Sequence, residues 1–501
     1  MYTNNKWQLY PLLRLAITLC IGIVAGKLLY NYITIGIWLT IGIVSIISAC
    51  IIKHENIQSI LIATTTLALG GTLMCKQLKA TDIFLPNETS QYEAIITSTP
   101  IIHGKVLKCD IEIMSLNGKS INNPINAKAT ILRDTTTEMQ LKTGDGILAE
   151  SVLEKPQNIS DNSNFDYAQW MKIHGYSAQT FIPYWDIHSA RVSLGKNAYD
   201  RLCIKARIFR DNLSQKLFSD NGKDKGAYSV ISAITIGDKS ALDKDTKDAF
   251  SISGGSHVLA LSGLHLGIIF SVFLLLFGHS AIAMTLSIIG IWAFAFVVGL
   301  PPSVVRSAVM LSIYALVSII NRKSISFNTL AFAAIVILVM NPLSLWDIGF
   351  QMSFMAVAGI FTLYKPMYMW LHPYNKLLSW IWGSICVSLS AQIFTFPIVL
   401  HCFGRFSCYF ILTNFVVVPC ATLIIYMAVA LIITIPLTAL YNIICCSIVQ
   451  TAGLMNRSVF FISKLPGASI ENFYISTSQT WLLYLFILCN IAIFKKLKVN
   501  L

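Results

Sequence analysis

The chain has 501 residues, of which 55% are hydrophobic and only 12% are charged, and its mean hydropathy is +0.65. A soluble domain typically carries about 25% charged residues, so this composition excludes an ordinary soluble protein and indicates several membrane-spanning helices. The formal net charge is +13. Most of the basic excess lies beside apolar runs, where the positive-inside rule accounts for it without an anionic ligand.

Three apolar runs open the chain. Lys6 and Arg14 lie at the start of the first, no small-residue cleavage site follows it, and a second run begins almost at once, so we expect an uncleaved anchor helix. With these cations and Lys53 in the cytoplasm, the segment after the third run lies outside it. The runs, each near the roughly 20 residues that a spanning helix needs, are 12–30, 33–52 and 57–75.

A polar segment of soluble character follows. Its β-rich, partly alternating runs are separated by Gly and Asn turns, and five short strands predict a small barrel, of which an OB-like barrel is one option. Residues 85–190 hold 8 basic and 12 acidic residues, whereas a nucleic-acid-binding surface is normally basic. The five runs are 92–100, 105–114, 126–133, 145–154 and 177–184.

Residues 193–218 combine apolar side chains at helical spacing with many cations. This pattern predicts an amphipathic helix on the membrane surface, and an exposed helix of the soluble domain is the alternative. Its basic residues are Lys196, Arg201, Lys205, Arg207, Arg210 and Lys216.

From residue 257 onward the chain is mostly apolar. With the first three runs, nine further runs predict about twelve spans with both termini in the cytoplasm. Arg405 and Arg457 fall on the outer side as exceptions. The nine runs are 257–278, 280–299, 303–321, 326–341, 348–364, 379–400, 409–435, 440–463 and 480–496.

The twelve cysteines are scattered, without a CxxC motif, and small buried thiols are the favoured interpretation. Disulfides between Cys109 and Cys203, or between Cys402 and Cys408, stay open alternatives without sequence support.

Histidine and serine side chains interrupt the stretch GGSHVLALSGLHLG (254–267). Ser262 and His265 are three residues apart on one predicted helical face, and His257 lies two turns earlier. Histidine can bind a metal, act as a base or hydrogen-bond inside a cavity. Since no carboxylate lies between Asp248 and Asp347, a local zinc triad or Ser-His-Asp set is excluded, and an interhelical hydrogen bond is the alternative.

A single arginine lies one turn into the apolar helix that starts at Pro301-Pro302. Placing Arg306 at the bilayer centre would cost at least ~3 kcal/mol, so we expect it to face a cavity, a partner or an anionic ligand, or else to reach the outer headgroups. Asp347, which precedes Gln351 at the start of the next helix but one, could cap that helix or pair with Arg306.

Amide side chains and prolines also occur within the later spans. Gln392 precedes Pro397 in one run, and Asn414 precedes Pro419 in the next. Such residues line pores, and they also occur in ordinary helix packing.

The stretch ITIGDKSALDKDTKDAFSISGGSHVLALSGLHLG (234–267) resembles the signature of the ComEC competence family. Downstream stretches resemble further blocks of that family in order, and upstream ones resemble its external OB-like domain. These are PPSVVRSAVM (301–310), NPLSLWDIGFQMSF (341–354), the pattern Q…FP…FGRFS…N…VP (392–419), GDGILAESVLE (144–154) and NFDYAQWMKIHGYSA (164–178).

The resemblance implies an inner-membrane channel that conducts single-stranded DNA into the cytoplasm during natural transformation. The implied fold is a polytopic α-helical membrane protein with an external OB-like β-barrel inserted after the third transmembrane helix. Candidate residues for the DNA path are His257, Ser262, His265, Arg306, Asp347, Gln351, Gln392 and Asn414. We expect no catalytic residue, cofactor or metal.

Four regions follow from these features. They are a three-helix segment (1–80), the external OB-like domain (81–190), amphipathic or interfacial helices (191–255) and the channel core (256–501). Many members carry a further metallo-β-lactamase-like domain, but the sequence contains no HxHxDH, so we expect a short form that leaves strand degradation to a separate nuclease.

The energy needed to move DNA inward across the membrane predicts further partner proteins. Moving one negative charge inward against 100 mV costs about 2.3 kcal/mol, and no GxxxxGK[ST] motif is present. We therefore expect a cytoplasmic ATPase, helicase or strand-binding protein, an external DNA receptor and membrane lipids as partners.

Two other functions fit the polar residues without the resemblance. A secondary transporter for a smaller anionic solute would use the same broken helices and midplane polar groups. An intramembrane hydrolase would use Ser262 with His265, although ALSGL lacks a GxSxG elbow.

Overall fold

A computed structural model describes ten stretches of the chain: residues 9–81, 83–86, 88–133, 141–158, 165–193, 198–218, 225–320, 326–371, 373–434 and 437–499. Within these, it places the side chains of all residues except 216–218, 326, 432, 433 and 494–499.

The first three helices are α1 (Pro11–Leu28), α2 (Ile35–Ile51) and α3 (Glu55–Thr81), in agreement with the three predicted runs. Helices α1 and α3 approach so closely that glycines on each face the backbone of the other. A side chain at Gly70 would place its Cβ 2.6 Å from the Leu19 carbonyl oxygen, and one at Gly22 would overlap the Leu67 carbonyl. Small residues allow this approach within a membrane, where packing rather than hydrophobicity holds helices together.

A β-domain follows, with eight strands and one short helix. Its sheet has the order β6-β7-β4-β3-β1-β5-β8, with β2 paired to β3 and with β4 and β7 parallel. The elements are β1 (Ser90–Ile96), β2 (Ile101–His103), β3 (Val106–Leu116), β4 (Lys119–Leu132), β5 (Gly146–Ser151), β6 (Leu153–Glu154), α4 (Tyr167–Ile173), β7 (Ala178–Ile182) and β8 (Ile187–Ser189). All five predicted runs contain strands, but the run 145–154 forms two of them (β5 and β6), and β2 and β8 are additions.

The segment 146–154 contributes one strand near each edge of this sheet. Strand β5 pairs with β1, whereas β6, which follows after Val152 alone, pairs with β7. Three buried hydroxyls connect strands β1, β5 and β7. Tyr92 Oη lies 2.7 Å from Ser151 Oγ, which lies 2.6 Å from Thr180 Oγ1. Burial raises the pKa of Tyr92, so this phenol stays protonated and able to donate a hydrogen bond. A closed OB-like barrel stays a prediction.

Four helices lead from the β-domain to the core: α5 (Ala198–Phe218), α6 (Lys225–Thr235), α7 (Lys244–Ser253) and α8 (Ser256–Leu259). They differ in environment. Eight of the eleven residues of α6 are buried, and this helix packs with the core bundle. In contrast, α5 has one face on the β-sheet, through Ile204 with Ile95 and Met114.

Nine apolar helices complete the described part of the chain: α9 (Gly263–Phe277), α10 (Ala281–Val297), α11 (Pro302–Ile319), α12 (Ser326–Met340), α13 (Ile348–Tyr368), α14 (Lys376–Phe403), α15 (Phe410–Thr434), α16 (Thr438–Ser463) and α17 (Thr477–Val499). A 3-10 turn (Pro342–Trp346) precedes α13, and the two-residue strands β9 (Phe406–Ser407) and β10 (Ser469–Ile470) pair outside the helices.

The number and order of apolar helices agree with the predicted runs. Over the described residues, seven helices are long and apolar enough to cross a membrane, and five apolar helices are shorter. These features make the chain a multi-pass membrane protein. One run differs from the prediction, because 257–278 is not continuous: α8 ends at Leu259, Ala260 is extended, and α9 begins only at Gly263.

The α1–α3 contact can be tested with alanine. Replacing Gly22→Ala should destabilise the protein by about 1–3 kcal/mol, because the new methyl group overlaps backbone that cannot move aside. Gly42→Ala in α2 is the matched control, since its Cβ would lie 3.5 Å from the nearest side chain, an ordinary contact. Thermal unfolding in detergent, followed by circular dichroism, measures both. Equal midpoints for the two variants would contradict the close approach.

Candidate functional site

The first turns of three core helices are in contact at one end of the bundle, which we call the outer end because the β-domain lies there, and the first turn of a fourth contacts the end of α7. Ser303 Oγ, at the start of α11, donates to the Leu261 carbonyl just before α9 (2.7 Å). Arg306 of α11 contacts Asp347 at the start of α13. Thr413, in the first turn of α15, donates to the Ser253 carbonyl that ends α7 (2.8 Å). These contacts join the N-terminal ends of α9, α11 and α13 to one another, and they join the N-terminal end of α15 to the end of α7.

Ser262 and His265 cap α9. Ser262 is extended and precedes the helix; its Oγ accepts from the Leu264 backbone N–H (3.3 Å), and its own N–H donates to His265 Nδ1 (3.3 Å). His265 is fully buried, and its Nε2 has no hydrogen-bond partner among the described residues. The pair therefore meets within one helix cap rather than along a helical face.

His257 has a different environment. It lies in the short helix α8, is exposed, and has its Nδ1 3.1 Å from the Gly254 carbonyl oxygen.

Arg306 and Asp347 form an ion pair, with Nη1 2.8 Å from Oδ2 and only 13% and 8% of the side chains exposed. Asp347 also caps α13, because it accepts from the backbone N–H groups of Gly349 (3.3 Å) and Phe350 (3.2 Å). The two roles that the sequence left as alternatives are thus both present. Arg306 Nε is buried and has no hydrogen-bond partner among the described residues.

The amides divide between two places. Gln351 Nε2 donates to the Leu345 carbonyl beside Asp347 (2.9 Å). Asn414 Nδ2 instead donates to Ser388 Oγ on α14 (3.3 Å), and its Oδ1 is buried without a partner. Gln392 is partly buried in α14. Among the described residues, no hydrogen bond or ion pair connects Asn414 or Gln392 to Arg306.

Two sets of contacts at the outer end were not predicted from sequence. Arg405, noted from the sequence only as an exception to the charge rule, donates to Ser251 Oγ (2.9 Å) and pairs with Glu471 (3.1 Å), which offsets its charge. His174, from the β-domain, has its Nε2 4.0 Å from Asp347 Oδ1. No local pattern could have shown these contacts, because the partners are far apart along the chain.

The predicted basic helix turns part of its charge to the β-domain. Arg207 donates to the Thr97 carbonyl (2.8 Å), and Arg210 donates to Thr99 Oγ1 (2.5 Å) while it pairs with Asp211 of its own helix (2.8 Å). Lys205 and Arg201 have exposed side chains, Lys196 lies outside the described residues, and the side chain of Lys216 is also outside them.

All twelve cysteines are free thiols, including the pairs Cys109/Cys203 and Cys402/Cys408. Burial raises the pKa of Cys109 to about 12. Within the described ranges, no group of three or more His, Cys, Asp or Glu side chains could hold a metal ion.

A groove of about 1000 Å³ lies between the strands of the β-domain and the loop after α6. Its charges are mixed, so it offers no continuous basic track. The charged residues that line it are Lys108, Lys128, Arg210, Lys239, Asp110, Glu150, Glu154, Asp186 and Asp238.

The Arg306–Asp347 pair predicts a pattern of stabilities. Asp347→Asn should destabilise the protein by about 3–5 kcal/mol, because it leaves a buried guanidinium without its counter-charge. The double variant Arg306→Gln with Asp347→Asn should recover much of that loss, since no buried charge stays unpaired. Unfolding midpoints in detergent measure the coupling, and additive losses would contradict a buried ion pair.

Comparison with known proteins agrees with this architecture. A family model described as Competence protein matches residues 234–498, more than half of the chain. ComE operon protein 3 of Bacillus subtilis is 25% identical over 342 residues, covering 66% of this chain and 40% of that protein. Recombination protein 2 of Haemophilus influenzae is 23% identical over 208 residues, covering 38% of this chain and 26% of that protein.

An uncharacterized protein of Aquifex aeolicus is 30% identical over 168 residues, covering 33% of this chain and 40% of that protein. The match thus spans less than half the length of each of these curated relatives. No solved structure matches the chain significantly. The match to the family model over residues 234–498 shows that the chain belongs to the Competence protein family.

Proposed function

We propose that this protein is a channel that conducts single-stranded DNA across the cytoplasmic membrane during natural transformation. Membership of the Competence protein family supports a role in DNA uptake. The structural observation that carries the proposal is the contact of three helix N-terminal ends, those of α9, α11 and α13, around Arg306 at the outer end of the core.

The electrostatics of this end favour a polyanion. Each helix N-terminus carries about half a positive charge, and its first N–H groups point toward an approaching anion. Arg306 adds a positively charged guanidinium. Its Nη1 donates to Asp347, while its Nε has no partner among the described residues. A phosphate arriving here would meet donors that are already oriented.

His257, Ser262 and His265 would lie at the start of the DNA path, and Asn414 and Gln392 would follow on α15 and α14. Asn414 is the fifth residue of its helix, and Arg306 is the fifth residue of α11, so both lie about one turn below the outer end. Gln392 lies deeper, eleven residues before the end of α14.

Attraction at the entrance cannot move the strand inward. Each phosphate that crosses 100 mV toward a negative interior requires about 2.3 kcal/mol, so a cytoplasmic ATPase, helicase or single-strand-binding protein must supply the pull. An external receptor would deliver the DNA, because the mixed charges of the β-domain groove do not favour its capture. A separate nuclease would remove the other strand.

The proposed orientation places the β-domain outside the cytoplasmic membrane and both termini inside. We propose that the β-domain is an OB-like barrel, supported by the pairing of segment 146–154 with both β1 and β7. We also propose that α5 borders the outer lipid surface. Tyr199 is 63% exposed, Leu202 is 47% exposed, and the Phe209 ring lies 6.3 Å from Phe296 at the outer end of α10.

An intramembrane hydrolase is less well supported. Ser262 Oγ accepts a hydrogen bond from the Leu264 N–H and so caps α9. His265 Nε2 contacts no carboxylate among the described residues. A nucleophile needs a base that is oriented by a third group.

Charge removal at the entrance tests the proposal. In a transformable host that lacks its own copy, the double variant Arg306→Gln with Asp347→Asn should reduce uptake of labelled DNA into the DNase-resistant pool at least about tenfold, equivalent to about 1.4 kcal/mol. The reason is that the guanidinium of Arg306, which could bind a phosphate, is lost, while the neutral pair leaves no buried charge unpaired.

Arg457→Gln is the matched control, because this arginine is also at the outer half of a core helix but is exposed, and its hydrogen bond within the described part of the chain is to the Gly453 carbonyl of its own helix. Membrane levels of each variant should be equal by immunoblot. Normal DNA uptake by the double variant would overturn the role of Arg306. Normal DNA uptake with loss of transport of a small anion would favour the secondary transporter.

A further inference from the structure

We propose that α4 is a docking helix that seats the β-domain on the core, and that His174 is a positioning residue for the Arg306–Asp347 pair. The second part rests on the proposed function, because the pair matters for DNA only if the channel conducts DNA. The first part is independent of it.

Three separate elements of the core hold α4 and its C-terminal cap. From α1, Lys27 Nζ donates to Gln169 Oε1 (3.2 Å). From the end of α12, Asn341 Nδ2 donates to the Ile173 carbonyl (3.1 Å). From the start of α13, Asp347 lies 4.0 Å from His174 Nε2. Contacts from three directions fix both the position and the rotation of a short helix.

The same helix is attached to the β-sheet through an aromatic cluster. The Trp170 ring lies 4.4 Å from the His174 ring, and Lys128 lies over both Trp170 (5.3 Å) and Tyr176 (4.6 Å). Asp110 of β3 then binds Lys128 (2.9 Å) and accepts from Tyr176 Oη (2.7 Å). Burial and Asp110 raise the pKa of Tyr176, so the phenol keeps the proton that it donates.

Asp347 is where the two sets of contacts meet. Its Oδ2 binds Arg306, while its Oδ1 faces His174. A continuous series of contacts therefore runs from Asp110 in the sheet, through Trp170 and His174, to Arg306. Because interiors are close-packed, a shift of α4 would move the carboxylate that holds the guanidinium.

This arrangement also gives a role to the motif NPLSLWD (341–347) beyond the pairing of its Asp347 with Arg306. Its first residue holds the end of α4 and its last residue faces His174. Between them, the Trp346 ring lies 4.2 Å from Lys27 Nζ, the cation that binds Gln169. The motif is a seat for the β-domain.

Asn341→Asp tests the docking directly. Asparagine Oδ1 caps the 3-10 turn by accepting from Leu343 N–H (3.1 Å), and aspartate keeps that acceptor while removing the donor to Ile173. Amide hydrogen exchange of residues 167–174 in the purified full-length protein should become about five- to tenfold faster, as expected from losing one hydrogen bond.

Asn328→Asp is the matched control. Asn328, near the other end of α12, makes the same kind of bond to the Leu9 carbonyl (3.0 Å), far from the β-domain. It should leave the exchange of 167–174 unchanged.

A second set of variants uses charge. Lys27→Glu should also accelerate exchange, and adding Gln169→Lys should restore it. Unchanged exchange in both Asn341→Asp and Lys27→Glu would overturn the docking.

His174→Ala tests the positioning role. Uptake measured against DNA concentration should show a weaker apparent affinity, by about threefold or more, with an unchanged maximal rate, because Arg306 is still present but less well held. His174→Gln, which can present an N–H to Asp347, should recover part of the loss. Wild-type affinity in His174→Ala would overturn this role, even if the exchange data support docking and Arg306 is required for uptake.

Discussion

The outer end of this protein depends on one carboxylate. Asp347 accepts from two backbone N–H groups of α13, binds Arg306 and faces His174. A buried arginine would be strongly unfavourable alone, and a buried aspartate equally so, but together with a helix N-terminus they satisfy each other. The pair joins α11 to α13 and brings the β-domain to the same point.

Polarity in the core is correspondingly concentrated. Ser262, His265, Arg306, Asp347, Gln351 and Asn414 all lie in or just before the first turns of helices that begin at the outer end. Helix starts have unsatisfied N–H groups, so polar side chains there both cap the helix and leave donors for a ligand. Protein stability and the proposed affinity for DNA therefore draw on the same groups.

The β-domain is held at two places on this end rather than connected by its chain alone. Helix α4 contacts α1 and the segment before α13, while α5 contacts α10 through Phe209. Its overall acidity fits a domain in which the cation Lys128 is occupied by an internal partner, Asp110. Its contribution to a DNA path would then be to hold the entrance residues in place.

The sequence by itself determined the twelve apolar helices, the five principal strands and the polar residues of the site, because hydropathy, alternation and buried charge are local properties. Tertiary structure alone decided that Asp347 caps and pairs at once, that α6 is buried, that α8 and α9 are separate, and that Asn341 holds α4. Arg306 and Asp347 are 41 residues apart, and Ile173 and Asn341 are 168 apart. Contacts at such separations depend on how helices pack, which no short window of residues records.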